Sequence, residues 1–363
     1  MSNEKLSVPS RRPDRERWAG TVFTFLSTFL YGISNVTVRY LTDRDLIGCD
    51  INYNWILFYK ETIGFSILIP WLLFRWYQGR FQYSSKRLMC YVFIAAVFCQ
   101  FIGARLQVLG YAVIGLIIAV PLIQSSVLLG VAILGHFVFG DSLSRRRKIA
   151  ITILIVAVTI LSIGKELTAV GQSHEKDAVS AGLFLLVAAG TIVAGISYAV
   201  YITILRYVIR QFWADENSAW LSFKFRHWIG HDHKKQPGQR FYSPFPVTLS
   251  MSIVLAVGIV IFGTLLYCER GISGFYNLPN AAIPNAAWYA ILISGICNVT
   301  GFFFQIQGLR MTSAVQASLI AISQMLLLSL IGYLFFHEAV NMLVMIGLGL
   351  TVYGVFMSAK PEQ

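Results

Sequence analysis

Residues 54–74 read NWILFYKETIGFSILIPWLLF. A helix needs about 20 mostly apolar residues to cross a bilayer, and this stretch supplies them. Yet Lys60 and Glu61 stand side by side inside it. A charge at the centre of a span costs about 2.5–3.5 kcal/mol on insertion scales, so such residues face a bundle interior or an aqueous cavity rather than lipid. The pair therefore implies neighbouring helices that shelter it. Successive residues on a helix point about 100° apart, so the two need not pair with each other. One could face a cavity and the other a neighbouring helix. The competing readings are a structural ion pair, or a span shifted toward 62–80 that leaves both charges at the outer interface.

The rest of the 363-residue chain has the same character. It is 56% hydrophobic and 13% charged, against about 25% charged in a typical soluble domain. Ten segments qualify as spans: roughly 18–41, 54–76, 88–110, 112–139, 146–164, 180–207, 246–268, 286–309, 312–336 and 340–359. Residues 106–140 contain no Asp, Glu, Lys or Arg, so the division between the third and fourth spans rests on Gly110, Gly115 and length. The polar first 17 residues lead into an apolar run too long for a signal-peptide core, so this run is expected to stay as the first span.

Lys and Arg in short loops set orientation. With the N-terminus inside, 22 of the 29 basic residues fall on the inner side, six fall outside, and Lys60 lies within a span. Both ends are therefore expected to be cytoplasmic, in the inner (cell) membrane. The net charge of +12 then serves as a topology signal, which removes the nucleic-acid reading. The five cysteines form no CxxC pair, and four lie in or beside apolar runs, where a free thiol acts as a small hydrophobe. Neither a disulfide framework nor a metal site follows.

The halves resemble each other. Gly103-xxx-Gln107-xx-Gly110 recurs as Gly301-xxx-Gln305-xx-Gly308, and FVFGDSL at 137–143 is echoed by LFFHEAV at 334–340, setting Asp141 opposite Glu338. The triplet GIS occurs at 32–34 and again at 195–197, which sets Asn35 opposite Tyr198. Five spans per half is an odd number, so the second half enters the membrane from the opposite side. Such inverted repeats are frequent in secondary transporters, with the substrate site near the midplane between the halves. The expected organisation is a cytoplasmic tail at 1–17, a first five-helix repeat at 18–164, an external linker at 165–179, a second repeat at 180–359 with a cytoplasmic insertion at 211–245, and a short tail at 360–363.

Four phrases carry a family likeness: YGISNVTVRYL at 31–41, FYKETIGFSIL at 58–68, AGISYAVYITILRYVIR at 194–210, and the stretch from FQIQGLRMTSAVQ to GLTVYGV at 304–355. In these the chain resembles the drug/metabolite transporter superfamily, and within it the EamA-like ten-span transporters. The likeness covers nearly all of 18–359. It implies an all-α polytopic fold and a small-metabolite or drug substrate, moved by alternating access and exported. Two departures stand out. The proline expected about 13 residues before the acidic residue closing spans four and nine is missing: Pro121 lies 20 residues before Asp141, and 324–325 is Gln-Met. The insertion at 211–245 also exceeds its counterpart in the first half.

The residues expected to line the central cavity are Lys60, Glu61, Asn35, Tyr198, Gln107, Gln305, Asn298 and Gln324. Gln100, Ser125 and Ser323 add polarity within spans. Unsatisfied amides in hydrocarbon are unfavourable, so these groups point inward, either to line a cavity or to hydrogen-bond between helices. An unpaired Lys60 at the cavity favours an anionic substrate group, and an exposed Glu61 favours a cation or a coupling proton. Asp141 and Glu338 sit at span ends, where anchoring competes with a gate or proton site.

Within the insertion, Trp220, Phe223, Lys224, Arg226 and Trp228 suit a short helix on the cytoplasmic lipid surface, with partner binding as the alternative. HDH at 231–233 has too few donors around it for zinc. No nucleophile elbow or phosphate loop is present, so neither an enzyme nor a self-contained ATP-driven pump is expected, and no cofactor is implied. The rival readings are a flippase or channel for amphipathic cargo on the same scaffold, and a non-transporting component that binds partners through 211–245.

Overall fold

The computed structural model describes residues 14–78, 86–139, 181–213, 245–275, 277–278, 281–311, 314–338 and 340–359, together with ten helical residues between 149 and 161 and residue 145. Asp141, the linker at 165–179 and the amphipathic stretch and HDH of the insertion lie outside the described residues.

The elements are α1 (Asp14–Thr42), α2 (Arg44–Ile47), α3 (Tyr53–Tyr77), α4 (Lys86–Val97), a π-helical segment (Phe98–Ala104), α5 (Arg105–Ile114), α6 (Leu116–Phe139), α7 (Ala181–Trp213), α8 (Phe245–Arg270), α9 (Asn285–Met311), α10 (Ala314–Phe335) and α11 (Met342–Ala359). Among the described residues, seven helical stretches are long and apolar enough to cross a membrane, beginning with Trp18–Thr42 and ending with Asn285–Gln305. Among the described residues the regular structure is helical apart from a short antiparallel ribbon, with Asn277 paired to Ala282 and Leu278 to Ala281.

The helix boundaries follow local chemistry. The helix begun at Lys86 runs through the π segment to Ile114 and breaks at Gly115, whose φ is +78°. That left-handed conformation suits glycine, which has no Cβ to clash. Gly110 sits inside the helix instead, so the fourth span begins at Leu116 rather than at 112. The sixth helix continues to Trp213, past the expected end at 207. Asn52 caps α3 by accepting from Asn54 N–H at 2.7 Å, which satisfies one of the orphan donors of a helix start.

The helices pair in a regular way. α1 lies along α9, while α7 lies along α6 and along the α4–π–α5 helix. α3 packs beside α8, with its flank on α9, and α8 has its own flank on α4 and the π segment. α6 is the most enclosed of the seven spans. Small residues permit its close approach to α7. A Cβ placed on Gly130 would stand 2.5 Å from the Ala199 Cβ, and one on Gly195 would stand 2.5 Å from the Ile123 carbonyl oxygen. Lipid gives helices little hydrophobic incentive to associate, so close backbone contact through small residues is what joins them. Large apolar side chains such as Phe29, Leu73, Phe137, Leu186 and Phe335 point outward, onto a surface suited to lipid.

Aromatic rings cluster at one end of the bundle. Trp55, Tyr59 and Trp288 form a three-ring cluster with centroids 4.8–5.0 Å apart, and Phe58 meets Phe275 edge-on at 5.1 Å. Asn52 and Asn54 each donate to Glu269 of α8, at 2.8 and 2.7 Å. At the same end Arg39 closes on Glu338.

Candidate functional site

The centre of the bundle is built around the charged turn of α3. Glu61 is 2% exposed. Lys60 Nζ lies 3.6 Å from Glu61 Oε1, so the two neighbours do pair, although their helical directions diverge. The long, flexible lysine stem makes that reach possible. Glu61 Oε2 has no hydrogen-bond partner among the described residues. Two glycines make room for the turn. A Cβ on Gly258 of α8 would stand 2.9 Å from Glu61 Cγ and 3.0 Å from Gln100 Nε2, and one on Gly295 of α9 would stand 3.0 Å from the Lys60 carbonyl oxygen.

The π segment faces this turn. Its extra residue per turn breaks the regular ladder of backbone bonds, a feature common at functional sites. Ser197 Oγ donates to the Phe98 carbonyl at 2.7 Å, and Gln100 Nε2 donates to the Val254 carbonyl at 3.2 Å. Gln100 is 4% exposed and lies beside Glu61. Tyr31, Tyr198, Tyr201 and Cys99 all lie within electrostatic reach of Glu61. The Tyr201 hydroxyl is buried without a hydrogen-bond partner among the described residues.

Amides and phenols link the helices around this core. Gln107 Nε2 donates to Asn35 Oδ1 at 3.3 Å and to the Tyr111 hydroxyl at 2.6 Å, while its Oε1 accepts from the Tyr198 hydroxyl. Across the bundle, the Tyr31 hydroxyl donates to Gln305 Oε1 at 3.0 Å. The contacts repeat in one register. Gly103 faces Tyr198 and Gly301 faces Leu30 and Tyr31, while Gly110 abuts Thr191 as Gly308 abuts Thr24. Tyr31 thus matches Tyr198, and Thr24 matches Thr191. This register is one helical turn away from the one the GIS triplets give, in which Asn35 stands opposite Tyr198.

The eight residues expected at the cavity do not form one ring. Asn35, Gln107 and Tyr198 share a hydrogen-bonded cluster. Lys60 and Glu61 form a second group against Gln100. Gln305 joins Tyr31, and Gln324, 5% exposed, accepts from Gln124 Nε2 at 3.4 Å. Asn298 is half-buried on α9 between buried Cys297 and Val299.

Sequence reasoning passed over Tyr31, Tyr111 and Gln124. The signal for the first two is spacing: Tyr31 lies four residues before Asn35 and Tyr111 four after Gln107, one turn along the same helix face.

Glu338 is an anchor between helices. Its Oε1 accepts from Leu116 N–H at 2.8 Å and from Arg39 Nε at 3.2 Å, and its Oε2 accepts from Ile117 N–H at 2.9 Å. Arg39 also reaches Asp43 at 3.2 Å and lies over the Phe336 ring at 5.1 Å.

Comparison with known families places two stretches of the chain together. The model of the EamA-like transporter family matches residues 18–163 and 238–359. No curated protein matches the chain. The unmatched interval 164–237 spans the expected external linker, the sixth helix and most of the insertion.

Proposed function

The chain belongs to the EamA-like transporter family, and on that premise we propose that it moves a small metabolite or drug across the cell membrane by alternating access between two inverted five-helix repeats. The observation that carries this reading is the twofold contact pattern. Tyr31 bonds Gln305 and Tyr198 bonds Gln107, and each tyrosine's helix also meets its partner helix through a matched threonine and glycine. The pairing of α1 with α9 and of α7 with α5, and the central pairing of α3 with α8, are what a pseudo-twofold axis in the membrane plane would produce. Two halves so related can rock about a shared centre, and the buried Lys60–Glu61 turn lies at that centre.

With both termini cytoplasmic, the end that carries Trp55, Tyr59 and Trp288 faces outward. In this reading their ring cluster is the outer gate, closed in the half of the cycle in which the site opens to the cytoplasm or is occluded. Lys60, Glu61, Asn35, Tyr198, Gln107, Gln305, Asn298 and Gln324 supply the polar lining in this reading. Export is the direction that the family resemblance implies, the flux itself following the gradients of substrate and coupling ion.

The test is purified protein in liposomes loaded with pooled acidic, basic and neutral metabolites, with thermal unfolding run in parallel. A ligand at 100 times its dissociation constant adds about 2.7 kcal/mol of stability. One pool should both stabilise the protein and leave the liposomes faster than it leaves loaded liposomes without protein. A protein that no pool stabilises, and across which nothing flows, is not a transporter.

A further inference from the structure

We propose that Glu61 is the proton-binding group of the transport cycle and that Lys60 holds one negative charge of the substrate, so that one proton travels with each anionic group carried. This rests on the transporter reading and names its substrate class and coupling.

The inference starts from an incomplete ion pair. Lys60 engages Glu61 Oε1 at 3.6 Å, while Oε2, in a side chain 3% exposed, has no hydrogen-bond partner among the described residues. A carboxylate held only to maintain the fold would have its lone pairs filled, because an unsatisfied buried charge is costly. Here Oε2 is buried without a partner in hydrogen-bond range, and beyond Lys60 only the neutral Gln100 amide, among the described residues, supports the carboxyl. Gln100 of the π segment stands beside the carboxyl, and Tyr31 from α1, Cys99 from the π segment, and Tyr198 and Tyr201 from α7 lie within its electrostatic reach. α8 and α9 contribute Gly258 and Gly295, which carry no charge. Lys60 is the one charged group recorded against Glu61 among the described residues. Phenols and thiols are far weaker acids than a carboxylic acid, so Glu61 is the group in this shell that takes and gives a proton over the working pH range.

The charge balance fixes the coupling. With Glu61 ionised, it and Lys60 sum to zero. A proton from water on the open side neutralises Glu61 and leaves Lys60 with no counterion. A monoanionic group of the substrate then takes the place that the Glu61 carboxylate held against Nζ, and the sum returns to zero. On the far side the anion leaves, the proton returns to water, and the Lys60–Glu61 pair re-forms. Both occupied and empty sites are neutral, so each can cross the low-dielectric interior. A proton alone or an anion alone leaves a net buried charge, which is opposed.

The test uses full-length protein and two probe pools, small monocarboxylates in one and small amines in the other. Binding is followed by thermal shift and proton uptake in weak buffer. For the wild type, the anion pool should bind with uptake of one proton per anion. Its affinity should fall about tenfold per pH unit once Glu61 is ionised. Glu61→Gln, which mimics the protonated acid, should bind the anion with an affinity flat in pH and no proton uptake. Lys60→Gln should remain folded and lose anion binding. Independently of any ligand, a protonated-carboxyl stretch in the infrared spectrum should titrate in wild type and be missing from Glu61→Gln; its absence from wild type overturns the proposal. Anion binding with the same pH dependence in Glu61→Gln as in wild type overturns it too. Stabilisation and flux by the amine pool alone overturn it while leaving the transporter reading intact. If neither pool binds or moves, both readings fall together.

Discussion

Glu338 caps the first turn of a helix 222 residues away in sequence, accepting the Leu116 amide at 2.8 Å. The carboxylate meets two of the four N–H groups that any helix start leaves unsatisfied, and its charge opposes the positive end of the helix dipole. Gly115 is part of the same device. A Cβ there would stand 2.5 Å from the Glu338 carboxyl carbon. Arg39 adds a third contact, joining α1 to the α10–α11 link and to α6. Removing one partner of a buried pair costs about 3–5 kcal/mol. Glu338→Ala should therefore lower the thermal midpoint strongly, while Glu338→Gln, which keeps an acceptor for the amides, should lose less. Equal midpoints for wild type and Glu338→Ala would remove the anchor from this account.

The two tyrosine–glutamine contacts should be measurable as matched couplings. Interhelical hydrogen bonds in membranes average about 0.6 kcal/mol in double-mutant cycles. Tyr31→Phe with Gln305→Leu, and Tyr198→Phe with Gln107→Leu, should each show coupling of that order. Gln107→Leu alone should cost more than Gln305→Leu alone, because Gln107 also holds Asn35 and Tyr111. Additive effects in both cycles would mean that the contacts do not join the helices.

Much of the helical fold was legible because lipid imposes a simple rule on sequence: twenty apolar residues per crossing. The break at Gly115 was legible as a glycine in a stretch with no charge, though not distinguishable from Gly110, since only backbone geometry separates a helix-ending glycine from a packing one. The GIS triplets suggest one register between the first helices of the two proposed halves, and the contacts follow another, one turn away. GIS marks small residues at similar places, whereas Tyr31 and Tyr198 are set by the glutamines they reach. The polar residues of the candidate site were singled out by type, as amides and charges within spans. The partnership of Lys60 with Glu61 depends on side-chain conformation, and that of Arg39 with Glu338 joins residues 299 apart, so neither could be read along the chain.

Cys49 offers a pH-dependent test outside the spans. It lies in the link between α2 and α3, where burial, and secondarily the Asp50 carboxylate, push its thiol above the usual range. The thiolate is the reactive form. Maleimide labelling of Cys49 should be slow at neutral pH and should rise at a higher pH than for a free thiol. Asp50→Asn should recover part of the rate and not all, since burial is the larger cause. Labelling as fast as a free thiol at neutral pH would contradict this environment. With a membrane-impermeant reagent, the same residue reports which side the link faces.

Glycines separate packing from backbone cost. Gly130 and Gly182 both sit in helices, but their surroundings differ. A Cβ on Gly130 would overlap Ala199 at 2.5 Å, whereas one on Gly182 meets nothing within 4 Å. Overpacking a tight contact costs about 1–3 kcal/mol, while alanine in an open helical position lowers the entropy of the unfolded chain and gains about 0.4–1 kcal/mol. Gly130→Ala should therefore lower the unfolding midpoint and Gly182→Ala should raise it slightly. α6 and α7 belong to opposite proposed halves, so Gly130→Ala should also slow flux beyond what its stability loss explains, by wedging apart a contact on which the halves move. Flux that tracks stability alone in both variants would make this contact a passive one.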